Sequence, residues 1–317
     1  MKIVIIGGGI AGTTLAILLQ RKGYEVIVAE RTAGNTRVGH GFLIHAEAIA
    51  VLEEIDQAGG NVPRKSSVPA ERNVPGKTRV PAESNIRRKS NVPGESINRF
   101  RLMRPDGAPV REEILDCWSC MRRDELMNYL EGQLAPGSLI RGLRFSGFVR
   151  ESEENQGSRE NQGSRESKDA RSGQRVLAAR FDNGHCEEGD IFIGADGARS
   201  LVRQQLFGIT EHSPVRVKEI VGACSHPGLA ARHPHSFLKY QHADYGLAFG
   251  MIPTGPEEFV WFMQYDPAMG DVDGEGSEAI AAFCRARLRG FPDPVAELLA
   301  ANDFSLSYVW HTQDFDP

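Results

Sequence analysis

The chain is predicted to be an α/β protein in which a Rossmann-type parallel sheet joins a second, α+β unit built on a mixed or antiparallel sheet. Three observations carry that prediction. The short apolar run Ile3 to Ile6 flows directly into Gly7-Gly8-Gly9-Ile10-Ala11-Gly12. A second apolar strand, Asp190 to Gly194, flows into Ala195-Asp196-Gly197 about 185 residues later. Beyond it, Ser236 to Gln241, Ala248 to Ile252 and Val260 to Tyr265 read as strands of another sheet.

The N-terminal unit follows from the spacing of its glycines. Ile3 to Ile6 has no polar alternation, as expected of a parallel strand buried on both faces. Gly7 permits a tight turn, Gly9 lets backbone approach a pyrophosphate, and Gly12 lets the next helix pack against the strand. Ile10 to Gln20 reads as that helix, with its N–H groups and dipole aimed at phosphate. Lys22-Gly23 ends it, and Tyr24 to Ala29 reads as the second strand. Glu30 stands 18 residues after Gly12, where a carboxylate takes ribose hydroxyls and disfavours a 2′-phosphate. At this stage NAD and FAD fit equally well, and a glycine-rich turn without nucleotide is the plainer alternative. Ala46 to Gln57 reads as a helix. Ile140 to Arg150 and Gln174 to Phe181 read as strands, and INRFRLMRPDG signals a hairpin. Ser277 to Arg289 and Asp293 to Ala301 read as amphipathic helices, the first with apolar residues at 280, 283, 284 and 288.

Length and composition fit two domains: 317 residues, 40% of them hydrophobic. A net charge of −5 does not suggest a nucleic-acid protein. Five unevenly spaced cysteines and no secretory segment point to a reducing cytoplasm. No apolar run approaches the roughly 18 residues of a membrane span.

Two segments have a period of six. Residues 61–96 read NVPRKS, SVPAER, NVPGKT, RVPAES, NIRRKS, NVPGES, and residues 154–171 read ENQGSR, ENQGSR, ESKDAR. A hexapeptide period can build a left-handed β-helix, here with Val62, Val68, Val74, Val80, Ile86 and Val92 stacked. Prolines after five of the six remove ladder donors, however, and one apolar residue per turn does not offset the entropy of ordering. Both are expected to be disordered inserts. The first carries eight Lys/Arg against three Asp/Glu, so it is net +5 while the rest of the chain is −10; a basic tether is the sharper alternative.

The two glycine motifs, taken with Arg123-Asp124-Glu125-Leu126 and with Ser200 and Arg203 after Asp196-Gly197, resemble the p-hydroxybenzoate hydroxylase-like family of FAD monooxygenases, the class A flavoprotein hydroxylases. Arg37-Val38-Gly39-His40-Gly41-Phe42 looks like that family's loop beside the flavin, and Gly246 to Pro253 with Trp261 like its substrate strands. The resemblance implies a glutathione-reductase-like FAD-binding domain of residues 1–60 and 117–210, with a substrate domain of 97–116 and 211–317. It implies cofactor-binding roles for Gly7, Gly9, Ile10, Ala11, Gly12, Glu30, Arg31, Arg37, Gly41, Arg123, Asp196, Gly197 and Arg203. Arg122 competes with Arg123 for its register; a simple turn is the plainer alternative for Asp196-Gly197, but its position after a buried strand favours the functional role. No catalytic residue is assigned.

The activity so implied uses FAD as cofactor and NAD(P)H and O2 as co-substrates. A flavin C4a-hydroperoxide would pass one oxygen atom to a small aromatic substrate, with no nucleic-acid, membrane or metal partner. The family's third motif, a Gly-Asp near the C-terminus, is not found, so the chain reads as a truncated member. A flavin oxidoreductase without oxygen insertion and an inactive remnant are the alternatives. Cys117-Trp118-Ser119-Cys120 raises a redox dithiol beside an ordinary strand. His226, His233, His235 and His242 read as a solvent-facing loop, and Tyr240, Phe249, Met251, Trp261 and Met263 as either substrate contacts or core.

Overall fold

The computed structural model describes residues 1–34, 40–58, 91–151, 175–243 and 246–313. The insert at 154–171, most of the one at 61–96, and Arg37 lie outside the described residues.

The N-terminal run forms β1 (Lys2–Ile6), followed by α1 (Ile10–Arg21) and β2 (Glu25–Glu30). Next come β3 (Gly41–Ile44), α2 (Ala46–Ala58), the hairpin strands β4 (Glu95–Met103) and β5 (Pro109–Arg122), and α3 (Arg123–Glu131). The middle holds β6 (Leu139–Arg141), β7 (Phe145–Arg150), β8 (Val176–Phe181), β9 (Cys186–Glu188), β10 (Ile191–Gly194) and α4 (Leu201–Phe207). The rest is β11 (Val217–Ser225), α5 (Pro227–Arg232), β12 (Ser236–Gln241), β13 (Ala248–Pro253), β14 (Glu258–Tyr265), α6 (Gly276–Arg287), α7 (Val295–Ala301) and β15 (Tyr308–Thr312).

A four-stranded parallel sheet has the order β10-β1-β2-β6. The unbroken apolar run of β1 has a reason: both its faces are covered. Ile3 and Ile5 pack with Ala16, Val26 and Val28 on the α1 side. Val4 and Ile6 pack with Phe145, Ala179 and Phe181 of the antiparallel β7-β8-β9 sheet on the other. The stretch read as one strand, Ile140 to Arg150, is two. Gly142 takes a left-handed φ of 75° between them, so β6 joins the parallel sheet and β7 the small one.

The second sheet has eight strands, β15-β11-β14-β13-β12-β4-β5-β3. All its pairs are antiparallel except β12–β4, so it is mixed. Strand β5 runs through the expected 116/117 boundary, and β3 pairs with its far end, Gly41 against Arg122 and Ile44 against Ser119. Glu95 and Ser96, read as the end of the sixth repeat, already belong to β4. One face of this sheet is the main hydrophobic core, packed under α6 and α7. Tyr240, Phe249, Met251, Trp261 and Met263 are all on it and at most 2% exposed, which assigns them to the core. The opposite face turns toward the parallel sheet, and a cleft lies between the two.

Candidate functional site

The cleft has a volume of about 1220 Å³ and runs from the glycine turn after β1 to the exposed face of the eight-stranded sheet. At its glycine end the two glycine motifs touch. The Gly7 N–H donates to the Ala29 carbonyl (2.8 Å) and the Ala195 N–H to the Ile6 carbonyl (2.7 Å), tying the turn after β1 to β2 and the turn after β10 to β1. Gly7 has φ 113°, and a Cβ there would lie 2.3 Å from the Ala195 carbonyl oxygen. Gly12 meets the Gly7 carbonyl so closely that a Cβ would stand 2.0 Å from it. Gly9 differs: a Cβ there would meet nothing within 4 Å, because the residue faces the open cleft.

This end has features that would suit an anion. Helix α1 starts at Gly9 with no side-chain cap and no acidic residue in its first turn, which leaves its N–H groups to a ligand. Arg31, Arg123, Arg141, Arg144 and Arg199 all line the cleft. Arg141 is paired with Glu131 at 2.6 Å and Arg144 with Asp182 at 3.7 Å. Arg122 and Arg123 point to different partners. Arg122 turns to Asp124 (3.2 Å) and Glu258 (3.1 Å), whereas Arg123 opens α3 and lines the cleft.

Glu30 ends β2 at the rim. It accepts the Gly8 N–H at 2.8 Å and the Thr32 N–H at 2.9 Å. Burial pushes its carboxyl pKa up, but the Thr32 and Gly8 bonds and the charge of Arg31 outweigh burial and hold it below the ordinary range. A depressed folded-state pKa stabilises the fold above the unfolded value, and the gain is lost as pH falls through the folded one. Glu30→Gln should therefore cost about 1–2 kcal/mol at pH 7. The difference from the parent should shrink as denaturant melts are repeated below the unperturbed carboxyl value of 4.5. A gap that is constant with pH would count against this account.

Asp196 has its carboxylate turned to its own chain. Oδ1 accepts from Ser200 Oγ (2.5 Å), and Oδ2 accepts from the N–H groups of Leu201 (2.8 Å) and Val202 (3.2 Å), capping α4. Ser200 Oγ in turn accepts the Arg203 N–H, and Arg203 donates to the Ala198 carbonyl at 2.7 Å. The carboxylate thus shapes the turn, while Ala195, Asp196 and Gly197 line the cleft.

Of the predicted residues, Gly7, Gly9, Glu30, Arg31, Gly41, Arg123, Asp196 and Gly197 meet at the cleft. Ile10, Ala11, Gly12 and Arg203 are not among its lining residues. Ile10 packs with Ile17 and Leu126, and Gly12 is fully buried against the Gly7 turn.

Sequence reasoning placed His40 only within a loop beside the flavin and assigned no role to the rest of the far wall. His40 donates from Nε2 to the Leu306 carbonyl (2.9 Å) and stacks on Tyr308 at 5.6 Å. Burial, with the Arg122 charge, lowers its pKa and so favours the neutral ring. Tyr308 and Trp310 arrive on β15, which pairs with β11 at the sheet edge. The alternation of β14 contained the signal: if Trp261 and Met263 are core, then Val260, Phe262 and Gln264 face the cleft.

The other candidate chemistry resolves into structure. Cys120 is buried, which pushes its thiol up to about 12, far from a reactive thiolate, while Cys117 is exposed. His226 caps α5, accepting the Leu229 N–H at 3.1 Å, and pairs with Glu297; the segment read as loop is therefore partly helical. Asp271 accepts from the Tyr265 hydroxyl (2.8 Å) and pairs with Lys218. Among the described residues, no helix is long and apolar enough to cross a membrane.

A family model for pyridine nucleotide-disulphide oxidoreductases matches residues 1–100, a span that ends before the Cys117–Cys120 pair. The chain is 24% identical over 317 residues to aurachin C monooxygenase/isomerase of Stigmatella aurantiaca, covering 94% of this chain and 65% of that protein. It is 26% identical over 318 residues to 3-amino-4-hydroxybenzoate 2-monooxygenase PtnB3 of Streptomyces platensis, covering 95% and 65%. The chain thus spans about 65% of the length of these relatives. In fold it is similar to Klebsiella pneumoniae HpxO, solved with FAD and uric acid, with a TM-score of 0.71 at 18% identity over 100% of this chain and 69% of that one.

Proposed function

We propose, taking as premise its homology to the FAD-dependent monooxygenases of the class A flavoprotein hydroxylase type, that this chain binds FAD in the cleft and oxygenates a small aromatic substrate with NAD(P)H and O2. One observation carries the reading: a glycine cradle with an uncapped helix N-terminus opens into the same cleft as an aromatic sheet face.

The residues fit the cofactor. The α1 N-terminus and the backbone at Gly7 to Gly9 would take the diphosphate, close approach being possible because Gly9 carries no side chain. Glu30 would accept ribose hydroxyls. Arg31 and Arg123 would supply positive charge, and the turn held open by Asp196 would form the floor of the site. When bound, FAD supplies the redox chemistry, taking reducing equivalents from NAD(P)H and activating O2. The chain's own part is to orient the substrate, to exclude water between the two sheets, and to hold His40 neutral with its proton on Nε2. The same reading assigns residues 1–60 and 117–210 to the cofactor part and 97–116 and 211–317 to the substrate part, with β3 and the end of β5 lending strands to the latter's sheet.

Titration of the purified 317-residue chain with FAD, followed by flavin fluorescence, tests this. Stoichiometric quenching at micromolar FAD is the expected result, with NAD(P)H then oxidised faster in the presence of a phenolic substrate. A soluble chain that leaves flavin fluorescence unchanged overturns the reading. NAD(P)H oxidation without oxygenated product would favour an oxidoreductase that inserts no oxygen.

A further inference from the structure

The cleft face of the eight-stranded sheet is mostly carbon, with Val221, Ile252, Val260 and Phe262 among its side chains. It is also flat. Gly250 has no side chain, and the Phe262 ring lies across it, so that a Cβ at Gly250 would fall 2.2 Å from the ring. Among the residues of this face that line the cleft, two polar side chains sit at adjacent positions. Glu219 on β11 is in register with Gln264 on β14 on one side and with Trp310 on β15 on the other, and all three line the cleft.

Burial pushes the Glu219 pKa above the ordinary carboxylate range, offset in part by the Gln264 side-chain hydrogen bond and by the charge of Lys239. A carboxylate has about four acceptor positions, and the Gln264 amide fills only part of that capacity. A flat ring settling on this face displaces water from what remains. If the ring brings a donor, the lost hydrogen bond is replaced; if it does not, a buried acceptor is left unsatisfied.

We infer that Glu219, oriented by Gln264, is the specificity-determining acceptor of the cleft, selecting planar aromatic substrates that carry a ring hydroxyl or amine N–H over the same ring with that donor blocked. This rests on the cofactor reading above and adds to it the residue that reads the ring's donor. Nearby walls support it: Trp310 offers a large, half-exposed indole beside Glu219, and Phe237 and Tyr308 extend the aromatic surface.

The test uses the FAD-loaded chain titrated with catechol and, separately, with 1,2-dimethoxybenzene, followed by quenching of tryptophan fluorescence. Catechol is expected to bind about 10-fold more tightly or better. Glu219→Gln, which keeps the shape and removes the charge, should bring that ratio below about 3-fold while FAD affinity stays unchanged. Should Glu219→Gln fail a thermal-melt check of folding, Gln264→Leu replaces it and should lower the ratio about 3-fold. Equal binding of the two rings by the parent chain, or an undiminished ratio in the folded variant, overturns the inference. The FAD titration separates the two readings: a chain that takes up FAD but ignores the donor defeats this inference alone, whereas failure to take up FAD defeats the cofactor reading.

Discussion

Gly9→Val should leave the fold standing and abolish nucleotide binding, whereas Gly12→Ala should damage the fold itself. Gly9 sits at φ −75° and ψ −176°, extended backbone that any residue adopts, and a Cβ there meets no protein atom within 4 Å. Valine at this helix N-cap should cost only about 1 kcal/mol of stability. Its methyl groups would fill the space over the α1 N-terminus, so FAD affinity should fall about 100-fold or more, since the phosphates depend on close approach of the backbone. Gly12 is the opposite case. Its Cβ would stand 2.0 Å from the Gly7 carbonyl oxygen, and both atoms belong to elements fixed by the β1–α1 core. Gly12→Ala must push α1 off the sheet, at a cost of about 3 kcal/mol or more. Denaturant melts beside FAD titrations separate the two effects. Equal destabilisation by the two variants would show that the cradle geometry is not as described.

Asp196→Ala should lower stability by about 2 kcal/mol and weaken FAD binding through the turn rather than through a lost ligand contact. Its carboxylate serves three donors: the Ser200 hydroxyl and the Leu201 and Val202 N–H groups. Ser200→Ala removes one of these donors and the acceptor of the Arg203 N–H, so it should cost about 1 kcal/mol. If Asp196→Ala reduced FAD affinity while the melting midpoint stayed put, the aspartate would act on the ligand directly and not as a cap.

The glycine end of the cleft was legible because most of its signals are local. Strand, glycines, helix and Glu30 all lie within the first 30 residues; the demand at Gly12 comes from the Gly7 carbonyl, and the turn itself gives Gly7 its φ of 113°, although the Ala195 carbonyl also crowds it. Strands β12, β13 and β14 were legible from their alternation. What alternation cannot give is phase. Tyr240, Phe249, Met251, Trp261 and Met263 lie under α6 and α7, and the smaller or polar residues between them, Ala248, Gly250 and Gln264, belong to the face opposite. Nothing within a single strand says which of its two faces a helix will cover. The register of Arg122 against Arg123 was ambiguous for a similar reason. In the fold Arg122 pairs with Glu258, 136 residues away, and Arg123 is the one of the two that lines the cleft.

The sequence by itself determined the βαβ cradle and its polarity. A buried apolar strand, a turn that only glycine can make, and a helix N-terminus aimed at the turn leave one arrangement for those residues. Tertiary structure alone decided that β3 and β5, flanking the first insert, would complete the eight-stranded sheet with β15, and so bring His40, Tyr308 and Trp310 into one wall with Glu219 and Gln264. Strand pairing across such separations is chosen by which hydrophobic faces can be buried together, a property of the assembled chain and not of any window along it.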